Sequence, residues 1–176
     1  MSMAECKQAV LVEKETAHRD CLTGCYDKMT IQYLVDLCFL KSDVRQSHAM
    51  FVIDVDNFKR VNDTWGHLAG DRLLRDFASL LRETMPPAAK LYRYGGDEFI
   101  AALHEVSLSD VKKCQQKLEQ RIARYNEENE IHLSAAWGHA FFNPETDHGL
   151  SEIVKRADVM LYAMKRAMKQ AAESTS

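Results

Sequence analysis

The feature that most constrains this chain is a glycine pair followed by an acid pair, Gly95-Gly96-Asp97-Glu98, between the β-rich runs Leu91–Tyr94 and Glu98–Leu103. A Gly-Gly pair in that setting signals a tight hairpin, because both positions tolerate the positive φ that short hairpin turns demand. A further strand is expected over Ala49–Val55, whose first five residues are apolar and which runs out into Asp54-Val55-Asp56. A fourth is expected over His132–Phe142. Elsewhere the apolar period is helical. Asp27 is placed to cap a helix that carries Ile31, Leu34, Val35 and Cys38 on one face. Leu73, Leu74, Phe77, Leu80 and Leu81 form a stripe that ends at Pro86-Pro87. Val111, Cys114, Leu118 and Ile122 form another, and Ile153, Val154, Ala157, Leu161 and Met164 mark a last helix from Leu150 to about Lys169. The whole reads as a sheet with helices packed on it, an α/β (α+β) arrangement. Residues 1–18 read as a polar connecting helix and residues 19–172 as one domain.

Composition narrows the function classes. A chain of 176 residues with 46% apolar and 28% charged residues suits a single globular domain and is neither disordered nor membrane-spanning in character. With 23 basic against 26 acidic residues the net charge is −3, so there is no global basic field for nucleic acid. A polyanionic ligand must be held locally, and neither nucleic acid nor a membrane surface is an expected partner. Met1–Lys7 lacks a basic stretch leading into an apolar core, so a cytoplasmic location is expected. Cys6, Cys21, Cys25, Cys38 and Cys114 include no C-x-x-C pair and read as reduced thiols, not a disulfide or metal framework.

The chemistry is carried by acids. Asp54 stands where a buried strand emerges, and Asp97 and Glu98 stand at a hairpin tip. Singly, each reads as a cap or turn residue, and so does Asp56. Together, Asp54 and Asp97, with Glu98 as a further candidate, suit Mg²⁺, which takes one or two carboxylates plus waters and substrate phosphates. The backbone amides of Asn57, Phe58 and Lys59, at a helix start, can receive phosphate oxygens, and Lys59 adds a positive charge. Asn62 and Asp71 form a natural pair for guanine, since a carboxylate accepts from its N1–H and N2–H₂ donors. Adenine lacks that donor pair, which disfavours ATP.

In this order the residues resemble the GGDEF family, the diguanylate cyclases: Asp20-Cys21-Leu22-Thr23-Gly24, Ile53 through His67, Gly70-Asp71, Arg93 through Phe99, and Ala157-Asp158 with Leu161-Tyr162 and Lys165. The resemblance implies a palm-like nucleotidyl cyclase fold, with a central, mostly antiparallel five-stranded sheet flanked by helices. It implies condensation of two GTP into cyclic di-GMP by a homodimer, with an upstream sensory or receiver domain as input. It further implies metal ligation by Asp54, Asp97, Glu98 and the Val55 carbonyl, with two Mg²⁺ or Mn²⁺ per half-site. Asp97, Lys59 and Glu98 would be catalytic. Asn57, Phe58, Lys59, Asn62 and Asp71 would bind GTP, with Lys165 and Lys169 reaching its terminal phosphates. A catalytically degenerate GTP-binding module is the alternative.

Four departures from the family pattern stand out. The Arg-x-x-Asp product-inhibition motif is replaced by Pro86-Pro87-Ala88-Ala89, so no inhibitory site is expected there. Asp27-Lys28 stands where Asn-Arg is usual, and Met168-Lys169-Gln170 where Gly-Arg-Asn is usual. Ala136-Trp137-Gly138 takes the place of a Ser-containing strand, read as altered packing only.

Overall fold

A computed structural model of the chain describes residues 18–31 and 47–174. The expected connecting helix and the positions Leu34, Val35 and Cys38 lie outside the described residues. The elements are β1 (Ala49–Val55), α1 (Phe58–Trp65), α2 (His67–Thr84), β2 (Lys90–Arg93), β3 (Glu98–Leu103), α3 (Leu108–Glu128), β4 (Ala135–Phe141) and α4 (Leu150–Ser174). Four strands form one antiparallel sheet in the order β2-β3-β1-β4. The mixed α/β fold expected from the sequence is therefore present, with four strands among the described residues instead of five.

β1 is central and buried on both faces, and the two-residue period of a strand divides its side chains between two cores. Ala49, Phe51, Ile53 and Val55 pack with the apolar stripes of α2 and α3, including Leu73, Phe77 and Leu118. Met50 and Val52 pack on the other face with Ile153 and Ala157 of α4 and with Ile31. Even-numbered positions of β1 therefore look toward α4. That helix is seated unusually close: a Cβ added to Gly138 of β4 would lie 2.0 Å from the Ala157 carbonyl oxygen and 2.5 Å from the Leu161 nitrogen. Only glycine lets the helix backbone come so near.

Local chemistry sets the boundaries. Asp27 does cap, its Oδ1 accepting from the Thr30 amide and hydroxyl, both at 2.8 Å. Ser107 and Asp110 form a reciprocal capping box at the start of α3. α2 stops before the two prolines, and α4 runs past its expected end to Ser174. β4 begins later than the apolar run suggested, because the Asn126 side chain of α3 takes both the Leu133 amide (2.7 Å) and its carbonyl (2.9 Å). The hairpin between β2 and β3 also forms, but for a different reason than its glycines implied. Neither Gly95 nor Gly96 adopts a positive φ; the described glycines that do are Gly24 and Gly66. Gly95 instead leaves room for Glu98: a Cβ there would lie 2.5 Å from Oε2 of that side chain, which would have to move aside.

Candidate active site

The two acidic stretches meet at the end of β1. Asp54 stands opposite Glu98 in the β1–β3 register, and one residue further the Val55 amide donates to the Asp97 carbonyl at 2.9 Å. Asp54 and Asp56 fall at even-numbered positions, on the side of β1 that faces α4. From α4, Lys165 reaches across, its Nζ 2.6 Å from Asp54 Oδ1 and 3.9 Å from Asp56 Oδ1. Asp56 is anchored by its own amide, which donates to the Ser134 carbonyl at 2.8 Å. Burial pushes the Asp56 carboxyl up, with Lys165 opposing and Asp54 adding to the rise. The Glu98 carboxyl is also raised, first by desolvation over the hairpin and then by the charges of Asp54, Asp97 and Asp158. Asp158, on α4, is raised by desolvation.

The tip that presents Asp97 is braced from behind. The Arg93 guanidinium donates to both Asp20 oxygens, at 3.1 and 3.2 Å, and to the Gly96 carbonyl through Nε at 3.2 Å and Nη2 at 2.7 Å. Asp20 in turn accepts from the Thr23 amide and hydroxyl, at 2.8 and 2.6 Å. Burial alone would raise the Asp20 carboxyl; the Thr23 hydrogen bonds and Arg93 outweigh it and hold it below its ordinary value.

Among the described residues no group of three or more His, Cys, Asp or Glu side chains is arranged to enclose an ion unaided. The donor set is instead of the kind magnesium uses when substrate completes its shell: hard oxygens from few carboxylates plus a nearby carbonyl. Asp54, Asp97 and Glu98, crowded with like charge, fit that description.

A second polar feature lies just beyond β1. Asn62, on α1, has a buried Oδ1 without a hydrogen-bond partner among the described residues. Its place is made by Gly70 of α2: a Cβ there would lie 1.9 Å from that oxygen and 3.1 Å from Phe58 Cε2. Asp71 follows at once, half-buried. A buried acceptor without a partner leaves hydrogen-bonding capacity unused. At the start of α1, Asn57 sits in the left-handed region at φ 59° and its side chain makes no cap. The first amides of the helix therefore stay open to an anion beside the exposed Lys59.

Of the sequence-derived candidates, Asp54, Val55, Asp97, Glu98 and Lys165 come together at the acidic end, and Asn62 lies against Gly70. Asn57, Phe58 and Lys59 open α1. Lys169 does not join the acids; it is exposed and pairs with Glu173 at 4.0 Å, one turn along its own helix. Sequence reasoning missed Asp56 as part of the cluster, although its two-residue spacing from Asp54 placed both on one strand face. It also missed Asp158 as a neighbour of Glu98, and the Asp20–Arg93 brace, for which no local signal exists.

The sequence model described as "Diguanylate cyclase, GGDEF domain" matches residues 17–171. The chain is 34% identical over 122 residues to the diguanylate cyclase DosC of Escherichia coli K12, and 41% identical over 106 residues to the diguanylate cyclase DgcN of that strain. These matches cover 67% and 60% of this chain but 26% of either relative, so the chain spans about a quarter of their length. Among solved structures it is similar to the GGDEF domain of DgcB from Caulobacter crescentus in complex with c-di-GMP, with a TM-score of 0.74, 28% identity, and coverage of 85% of this chain and 90% of that one. It is also similar to the diguanylate cyclase SiaD from Pseudomonas aeruginosa, solved with its activator SiaC, with a TM-score of 0.79, 27% identity, and coverage of 93% of this chain and 64% of that one. By sequence and by fold, the chain belongs to the GGDEF family of diguanylate cyclase domains.

Proposed function

We propose that the chain is an active diguanylate cyclase domain that condenses two GTP into cyclic di-GMP and releases two pyrophosphates. The observation that carries this reading is the meeting of Asp54 with the Asp97-Glu98 tip across one β-ladder. Asp54, Asp97, Glu98 and the Val55 carbonyl would hold divalent cations, Mg²⁺ or Mn²⁺, two per half-site. When bound, such ions supply Lewis acidity at the α-phosphate and make the attacking hydroxyl more acidic. Asp97 would take the proton of that 3′-hydroxyl. Asn62 and Asp71 orient guanine and disfavour adenine. The open amides of Asn57, Phe58 and Lys59, with the Lys59 ammonium, bind phosphate oxygens, and Lys165 neutralises the terminal phosphates; Lys169 would join it only from a different side-chain orientation.

Each chain offers one half of a site for a two-fold product, so a homodimer is the working unit, with its geometry set by an attached input domain. At the turn where family members carry an Arg-x-x-Asp motif, Pro86–Ala89 provide neither guanidinium nor carboxylate. Feedback through that turn is therefore not expected, and variants at Pro86–Ala89 should leave any product inhibition unchanged. Incubation with GTP and Mg²⁺ over a series of protein concentrations, with chromatographic product analysis, tests the reading. Cyclic di-GMP formed with a steep dependence on protein concentration supports it; GTP left intact at every concentration contradicts it.

A further inference from the structure

Five carboxylates, those of Asp54, Asp56, Asp97, Glu98 and Asp158, bear on one another at the acidic end of the sheet. The cation recorded in contact with them among the described residues is Lys165. Its ammonium is not loosely solvated: it bridges Asp54 at 2.6 Å and Asp56 at 3.9 Å. The seat of its helix explains why. Gly138 lets α4 press against β4, and the preceding residue, Met164, receives the Trp137 amide on its sulfur at 3.3 Å. The Lys165 stem therefore leaves the helix directly over the even-numbered face of β1, whereas Lys169 points into solvent and pairs within its own helix.

Resting on the metal-site reading above, we propose that Lys165 is a resident counter-cation. In the nucleotide-free protein it holds Asp54 and Asp56, competing with a divalent ion for Asp54, and it moves to the triphosphate when substrate arrives. Lysine suits this role because a compact point charge on a flexible four-carbon stem can move between carboxylate and phosphate without a fixed fork geometry. The pair is partly solvent-exposed, with side chains 34% and 18% accessible, so the ammonium is exchangeable instead of locked. A triphosphate offers more negative charge than one carboxylate. Metal and nucleotide binding are then coupled: the nucleotide draws Lys165 off Asp54 and so strengthens the divalent ion's hold, and linkage makes the effect reciprocal.

Mn²⁺ binding followed by electron paramagnetic resonance tests this on the whole chain. Without nucleotide, Lys165→Gln and Lys165→Met should bind Mn²⁺ about fivefold more tightly than the parent, at the low end of typical coupling because the pair is partly exposed. Lys169→Gln, which removes the same charge one turn further on, should stay within about twofold of the parent, since exposed charges are well screened. With a saturating non-hydrolysable GTP analogue present, the difference should shrink to within about twofold, because the parent's Lys165 has then left Asp54; a fivefold gap that persists with the analogue bound overturns the transfer of Lys165 to the triphosphate. Unchanged or weaker nucleotide-free binding in the Lys165 variants overturns the inference, and so does a Lys169→Gln effect as large as theirs. Asp54→Asn separates the two levels: if it leaves Mn²⁺ affinity intact, the metal site itself is misassigned and the Lys165 role falls with it. If it weakens binding while the Lys165 variants do not tighten it, the counter-cation role alone is refuted.

Discussion

The acidic end of β1 and the Asn62–Gly70 slot meet the same problem, polar groups held partly out of water, in opposite ways. At the acidic end the fold supplies its own compensation: Lys165 lies on Asp54, and Arg93 braces the tip that presents Asp97. At the slot it supplies none, and Asn62 Oδ1 is buried without a partner among the described residues. The difference follows from the two kinds of interaction. Charge is non-directional and can be offset by any flexible cation in reach, whereas an amide oxygen needs a donor at a definite place and angle. The acidic end is therefore partly compensated before ligand arrives, whereas the slot is satisfied only by a ligand that brings N–H groups.

The comparison predicts unequal responses to mutation. The largest effect belongs to the acids: Asp97→Asn or Asp54→Asn should lower cyclic di-GMP turnover by at least ~10²-fold, the scale of losing one transition-state electrostatic contact. Parental rates in both variants would show that the reacting phosphates sit elsewhere. At the slot, Gly70→Ala places a methyl group where Asn62 Oδ1 now lies. It should reduce kcat/KM for GTP about tenfold, mostly through KM, as expected for a buried hydrogen-bonding group moved off its partner. A drop in kcat alone, with KM and GTP-over-ATP preference intact, would break the link between Asn62 and the base.

Smaller effects concern the brace. Asp20→Asn removes a carboxylate that Thr23 and Arg93 hold below its ordinary value, and should cost about 2 kcal/mol of stability at neutral pH. For a lowered carboxylate the stabilisation is present above its unfolded pKa and is lost as pH falls through the folded one. The deficit of the variant should therefore shrink below about pH 4, which thermal melts at pH 7 and pH 3.5 would read. A deficit that grows on acidification would mean that Asp20 is not the ionised partner of Arg93. Smallest is Gly96→Ala, where an added Cβ meets nothing within 4 Å and no positive φ is required. Its melting temperature should match the parent, a change within about 0.5 kcal/mol. A loss of GTP binding in such a stable variant would then report the nucleotide's approach to the tip.

Much of this arrangement was legible in the residues. The apolar run ending in Asp54, the hairpin around the glycine pair and the α2 and α3 stripes each carry a periodicity or turn signal strong enough to place them. What stayed hidden depended on long-range partners. Asp56 looked like a cap because the residues that hold it, Lys165 and Ser134, are distant in sequence. β4 starts later than its apolar run predicts because the Asn126 side chain of α3 claims Leu133. Gly95 is the turn residue its sequence setting predicts, but its missing side chain makes room for Glu98, not for a left-handed backbone. Strand and helix periods report which face is buried, not which side chain waits on the other side.

The central claim is that two acidic stretches grip divalent ions beside a slot for guanine. Anomalous diffraction from crystals grown with Mn²⁺ and a non-hydrolysable GTP analogue tests it most directly. The account predicts a manganese peak within coordination distance of the Asp54 and Asp97 carboxylates, with the base against Asn62 and Asp71. A peak remote from residue 54, or a base bound away from Asn62, would contradict it.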